Sequence, residues 1–116
     1  MARIIYSSEA LRDLEKIGDY IAFELQNPTA SLNTLNIIQD KISTLATFPR
    51  IGTLLSAICY GAEADDYRFL VCANYLAFYR VEGDNVIIDR IIYKRRDYIA
   101  VLFDGLPLND DGEERI

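Results

Sequence analysis

Lys94-Arg95-Arg96 is the one dense basic run in a chain of 116 residues that contains no histidine. The missing imidazole excludes Ser–His and Cys–His nucleophilic pairs, HExxH zinc sites and histidine proton shuttles. Acid–base and electrostatic chemistry is therefore left to lysine, arginine, tyrosine and carboxylates. Besides the basic run, Arg68 and Arg90 stand among β-branched and aromatic residues. An arginine there either projects from an open sheet face or pairs with a nearby carboxylate such as Asp89 or Glu82. For the run itself, the plain reading is an Arg96–Asp97 pair across a chain reversal, a contact contributing about 0–1 kcal/mol. The sharper reading gathers Lys94, Arg95, Arg96, Arg68 and Arg90 into a target-binding patch. Eight tyrosines invite base stacking, but tyrosine is also a favoured strand residue, and Tyr75, Tyr79 and Tyr93 fall where packing accounts for them. Cys59 and Cys72 have no CxxC spacing and are too few for a zinc site, so they read as inert, reduced thiols. No metal or cofactor is expected.

Charge and composition limit the partners. Twelve basic residues against 18 acidic ones give a net charge of −6, and 51% of residues are hydrophobic, the balance of one folded domain. Residues 104–116 carry five acidic side chains against Arg115, so the rest of the chain is only slightly negative. Long-range attraction to nucleic acid is thus weak, and a protein partner is the easier expectation. Direct DNA binding by this chain alone is not expected. The longest uncharged run, Leu25 to Gln39, includes Pro28 and three asparagines and is too short to cross a bilayer. The opening residues show no basic leader followed by an apolar core, so the cytoplasm is the expected compartment.

The elements that must position these groups follow from periodicity. Arg3-Ile-Ile-Tyr6 predicts a first strand, placed at a sheet edge. Ser7 or Ser8 can cap a helix from about residue 8 to 26, whose apolar stripe runs through Leu11, Leu14, Ile17, Gly18, Ile21, Ala22 and Leu25. Asn27-Pro28 stops it. A second helix, capped by Thr29 or Ser31, carries Leu32, Leu35, Ile38, Ile42, Leu45 and Ala46 and ends at Phe48-Pro49-Arg50-Ile51-Gly52. The short link makes an antiparallel hairpin of the two. Residues 53–66 show no clear period and read as a loop. Three strands follow: Tyr67 to Cys72, Tyr75 to Val81 and Val86 to Tyr93. Ala73-Asn74 supplies a tight turn in which asparagine tolerates positive φ, and Glu82-Gly-Asp-Asn85 supplies a longer one. The order is β-α-α-β-β-β, an α+β domain over residues 1–103 with a helical hairpin on one face of a twisted, mainly antiparallel sheet. Residues 104–116 are expected to form a flexible acidic tail; a bolder role for it is to cover the basic patch until a partner displaces it.

Three segments read together carry a resemblance: Tyr6 to Ile21, Ile42 to Gly52, and Asn74-Tyr-Leu-Ala-Phe-Tyr-Arg-Val81 followed by Arg90-Ile-Ile-Tyr-Lys-Arg-Arg-Asp97. Their order and spacing resemble the RelE/ParE superfamily of toxins from bacterial type II toxin–antitoxin modules, over about residues 3–103. That superfamily holds two activities on one fold, so the residues must decide between them. RelE-like members cleave mRNA on the ribosome, whereas ParE-like members inhibit DNA gyrase without enzymatic chemistry.

A metal-free ribonuclease needs groups that deprotonate a 2′-hydroxyl, stabilise a phosphorane and protonate the leaving oxygen. In the nuclease reading these would be Arg68, Arg95 and Tyr98. The pattern is incomplete: Leu70 shares a face with Arg68, Leu76 stands at the third-strand arginine position, and the downstream tyrosine falls near Val101 or Leu102. Tyr93 or Tyr98 would have to substitute for it. The resemblance therefore favours the ParE-like branch: a gyrase-inhibiting, non-enzymatic toxin neutralised by a cognate antitoxin. The alternatives are a ribosome-dependent mRNA endonuclease and a degenerate member that binds antitoxin without toxicity. The antitoxin is expected against the helical hairpin and sheet, with Leu14, Ile21, Leu35 and Ile38 as contacts.

Overall fold

The structure, a computed structural model, describes residues 1–55 and 67–94. Strand β1 (Arg3–Tyr6) leads into α1 (Ser8–Asp19), which widens into a single π turn (Tyr20–Glu24). Helix α2 (Pro28–Ser43) tightens into a 3₁₀ turn (Thr44–Ala46), followed by β2 (Thr53–Leu54), β3 (Tyr67–Cys72), β4 (Tyr75–Glu82) and β5 (Asn85–Tyr93). The sheet order is β1-β5-β4-β3-β2; β1 runs parallel to β5 at one edge and every other pairing is antiparallel. The expected α+β order is found, with one strand more. β2 pairs only Thr53 and Leu54 with β3, too short a stretch to carry a period, which is why it reads as loop in the sequence.

Ser7 joins the first helix to the sheet. Its hydroxyl accepts from the Ala10 N–H at 3.0 Å and donates to the Asp89 carbonyl at 2.9 Å, while its own N–H donates to the Ile88 carbonyl at 2.9 Å. One residue therefore caps α1 and fixes where β1 leaves β5. The link between the helices departs from expectation. Gln26 takes φ 52°, Asn27 accepts from the Ala30 N–H at 3.1 Å, and Pro28 opens α2 instead of merely stopping α1. Proline suits that first position because its missing N–H would have no helical partner there. Neither Thr29 nor Ser31 caps the helix. Ser31 is buried, and its hydroxyl donates to the Gly18 carbonyl at 2.8 Å where the two helices touch.

The helical stripes meet one face of the sheet. Ala10, Leu14, Ile38, Ile42 and Leu45 pack on Leu70, Cys72, Ala77, Tyr79, Val86, Ile88 and Ile91. Burial of such side chains contributes roughly 1.5–3 kcal/mol each, which a two-helix hairpin alone could not gather. The opposite face has its own buried cluster of Leu55, Tyr67, Leu76, Phe78 and Ile92. A bulge between Phe78 and Tyr79 pairs them with Arg90 and Ile88, so Asp89 is the extra residue of β5. That irregularity is the reason Asp89 and Arg90 break an otherwise apolar strand.

Two turn residues sit in places that the sequence alone assigns differently. In the β3–β4 turn it is Ala73, not Asn74, that takes positive φ, at 58°. Gly52, expected to end the second helix region, is a close-approach residue instead. A Cβ there would lie 2.7 Å from the Phe69 carbonyl oxygen and 2.6 Å from the Tyr79 hydroxyl, to which the Gly52 N–H donates at 3.0 Å.

Candidate functional site

Three arginines of the described strands, Arg68, Arg80 and Arg90, are engaged within the chain. Arg68 lies on the strand parity of Leu70 and Cys72, the helix-side face. Its Nη1 donates to the carbonyls of Arg50 at 3.1 Å and Gly52 at 2.9 Å, so it fastens the segment before β2 to β3. Arg80 Nε meets Glu82 at 2.7 Å and its Nη1 meets Asp89 at 2.7 Å. Asp89 and Glu82, considered as partners for Arg68 and Arg90, thus belong to Arg80. Burial first, and then the neighbouring Asp89 carboxylate, push the Tyr67 hydroxyl far above its ordinary range, keeping it a neutral donor.

Arg90 turns instead to α1. Its Nε and Nη2 hold Asp13 at 2.8 and 3.0 Å, and Asp13 also accepts from the Ile91 N–H at 2.9 Å. Charge-assisted forks of this kind are among the stronger side-chain contacts, and the Asp13 bond leads the causes that raise the Arg90 guanidinium further above its ordinary value. The expected cationic patch is therefore not assembled from Arg68 and Arg90: one is bound by carbonyls, the other by a carboxylate. Lys94 is exposed at the end of β5, its N–H donating to the Asn74 carbonyl at 2.9 Å. Arg95, Arg96, Tyr98, Cys59 and the acidic tail lie outside the described residues.

The expected antitoxin contacts divide. Leu14 and Ile38 are core residues, 7% and 0% exposed, so a partner cannot reach them. Their stripe faces the sheet because that is the face the helices need to bury. Leu35 packs against this core and against Gly18. Ile21, 8% exposed, is as buried as Leu14, but it also lines a groove of about 860 Å³ between the end of the helical hairpin, the β3–β4 turn and the last residues of β5. Ile17, Leu25 and Ile91 supply aliphatic lining, and Lys16, Tyr20, Tyr75 and Tyr93 also line it. Tyr75 and Tyr93 stand with ring centroids 5.4 Å apart. Burial, reinforced by Tyr93 and Tyr20, raises the Tyr75 pKa, so its hydroxyl remains a donor at neutral pH. Sequence reading places Tyr75 and Tyr93 in the packing and does not single out Lys16 or Tyr20. No local pattern joins residues so far apart along the chain.

Two helices thus lie on one face of a five-stranded, mostly antiparallel sheet with a parallel edge strand. The chromosomal ParDE toxin–antitoxin system from P. aeruginosa matches with a TM-score of 0.66 at 23% identity, over 80% of this chain and 96% of that one. The RelB–RelE antitoxin–toxin complex from Methanococcus jannaschii aligns with a TM-score of 0.47 at 14% identity, over 89% of this chain and 99% of that one. The E. coli DinJ–YafQ complex gives 0.48 and 14%, over 90% and 100%. No curated protein matches the sequence. Residues 4–98 match the family described as the ParE toxin of the type II toxin–antitoxin system parDE. The chain belongs to the ParE toxin family.

Among the described residues no helix is long and apolar enough to cross a membrane, and no group of three or more cysteine or carboxylate side chains is placed to hold a metal.

Proposed function

We propose that this chain is the toxin of a two-protein module, held inactive in the cytoplasm by a cognate antitoxin and acting, when released, by binding DNA gyrase. Leu76 carries the choice of target. Where the nuclease branch is expected to place an arginine, this chain has a leucine, 5% exposed, in the cluster with Tyr67, Phe78 and Ile92. A leucine there cannot stabilise a phosphorane, and losing one such electrostatic contact costs about 3–4 kcal/mol of transition-state stabilisation. The described strand arginines compensate poorly, because Arg68, Arg80 and Arg90 each serve an intramolecular partner. A binding protein needs no reactive constellation, and the geometry suits that role.

The test runs two assays on the purified chain. Supercoiling by purified gyrase should be inhibited, while mRNA on translating ribosomes stays intact by primer extension. Ribosome-dependent cleavage with unaffected supercoiling would reverse the assignment, and inactivity in both would mark a member that only binds antitoxin. Growth arrest on expression should be relieved by co-expressing a small protein encoded beside it.

A further inference from the structure

The first helix carries one residue too many for the turn in which it ends. The Leu25 N–H donates to the Tyr20 carbonyl, five residues back, at 3.2 Å, and the Asn27 N–H donates to the Ile21 carbonyl, six back, at 3.1 Å. A regular helical turn closes over four residues, and a left-handed C-terminal cap over five at most. Gln26 supplies the left-handed residue, at φ 52°, where glycine or asparagine is the usual choice. Isolated π turns are rare and are frequent at functional sites.

Two sets of forces disagree over the surplus residue. The apolar spacing Leu14, Ile17, Ile21, Leu25 is that of an unbroken α-helix, in which Leu25 stacks on Ile21 four residues before it. In the π register Ile21 is buried, but Leu25 is 56% and Phe23 72% exposed. Against the stripe acts Ser31, whose buried hydroxyl donates to the Gly18 carbonyl at 2.8 Å. A side chain that enters the helical ladder makes that carbonyl a poorer partner for the N–H of the next turn. The Tyr20 N–H is already shared between the Ile17 and Lys16 carbonyls. Downstream, the Asn27 cap and Pro28 fix the start of α2. The surplus residue is thus confined between Asp19 and Gln26. None of residues 20–27 belongs to the main core cluster, so a change of register there leaves the packing of helices on sheet intact.

We propose that Tyr20–Glu24 is a register switch that opens and closes the groove at the hairpin tip. Tyr20, Ile21 and Leu25 line that groove together with Ala73, Asn74 and Tyr75, and in the π register it is open. Passing the surplus residue into the link before Asn27 restores a four-residue turn and rotates the end of the helix by about 100°. That rotation carries Leu25 over Ile21 and narrows the groove. Ser31 holds the open register, and the apolar stripe favours the closed one.

NMR relaxation dispersion on the full chain tests this, read at the α-carbons and methyl groups of residues 19–27. The native sequence should show microsecond-to-millisecond exchange confined to these residues, with regular-helix shifts at Leu25 in the minor state. Ser31→Ala should raise the minor population about fivefold. Gln26→Gly relieves the left-handed residue of the π register and should lower it about threefold. Deleting Phe23 removes the surplus and should abolish the exchange. The proposal is overturned if residues 19–27 show no exchange in either the native chain or Ser31→Ala, if exchange survives the deletion, or if Gln26→Gly raises the minor population.

Discussion

Asp13 and Arg90, 77 residues apart, form a two-toothed ion pair that closes the outer edge of β5 where β1 ends. The same carboxylate takes the Ile91 N–H, so α1 supplies through one side chain what a neighbouring strand would otherwise supply. Asp13 is 11% exposed and Arg90 30% at the side chain, partial burial in which an orphaned charge is expensive.

Asp13→Ala should destabilise the fold by about 2–4 kcal/mol, because it strands a half-buried guanidinium and a buried N–H together. Asp13→Asn should cost less, since its amide oxygen can still accept one bond. Arg90→Ala leaves the Ile91 bond intact and should also cost less than Asp13→Ala. Urea unfolding of the two alanine variants and their double mutant should give a coupling of about 1–3 kcal/mol. Strict additivity would mean the pair contributes nothing jointly.

The pair also shows what the sequence discloses and what it withholds. Long periods are legible: Leu14, Ile38, Ile42 and Leu45 turn inward, and the three-stranded meander and the edge position of β1 stand as expected, but Leu11, Leu25 and Leu32 of the same stripes are exposed. Asp13 interrupts the apolar stripe of α1, lying between Ala10, Leu14 and Ile17, all on the inward side. Arg90 likewise interrupts an apolar strand. Two opposite charges that each break an apolar pattern are a signal for a buried pair, but nothing local reveals the register that joins them. The groove was illegible for the same reason, being assembled from a π turn, a hairpin tip and a strand end. Leu14 and Ile38 illustrate the converse error: an apolar stripe was read as surface for a partner when the sheet claims it.

Gly52→Ala should cost about 2–3 kcal/mol through overpacking and loss of the Tyr79 bond. The added methyl meets both the Tyr79 hydroxyl and the Phe69 carbonyl. Removing the hydroxyl in Tyr79→Phe should recover only part of that loss, because the carbonyl is backbone and does not yield. Full recovery in the double variant, by thermal or urea unfolding, would show that the carbonyl contact is not limiting.

Ala73→Gly should stabilise the chain by about 0.5–1 kcal/mol. Alanine at φ 58° carries a steric penalty of roughly 1–2 kcal/mol, partly offset by the greater entropy that glycine loses on folding. Asn74→Gly, at a residue without positive φ, should not stabilise. A β3–β4 turn indifferent to both changes would contradict the strain at Ala73.

Cys72 predicts an alkaline limb. Its side chain is fully buried, and desolvation lifts the thiol from an ordinary 9.0 to about 11, with Lys41 pulling slightly the other way. Below pH 9 the folded and unfolded chains both keep the proton, and stability is at its full value. Between pH 9 and 11 the unfolded chain releases the proton while the folded chain holds it, so stability falls as pH rises. The loss is complete above the folded value, at roughly 2–3 kcal/mol. Cys72→Ala should lower stability at neutral pH by about 1 kcal/mol through the cavity it leaves, yet flatten the alkaline slope. Urea midpoints of the two proteins should therefore converge as pH rises from about 8.5 and cross near about pH 10, the alanine variant being the more stable beyond it. Parallel curves would show that the thiol ionises no later in the fold than in the unfolded chain.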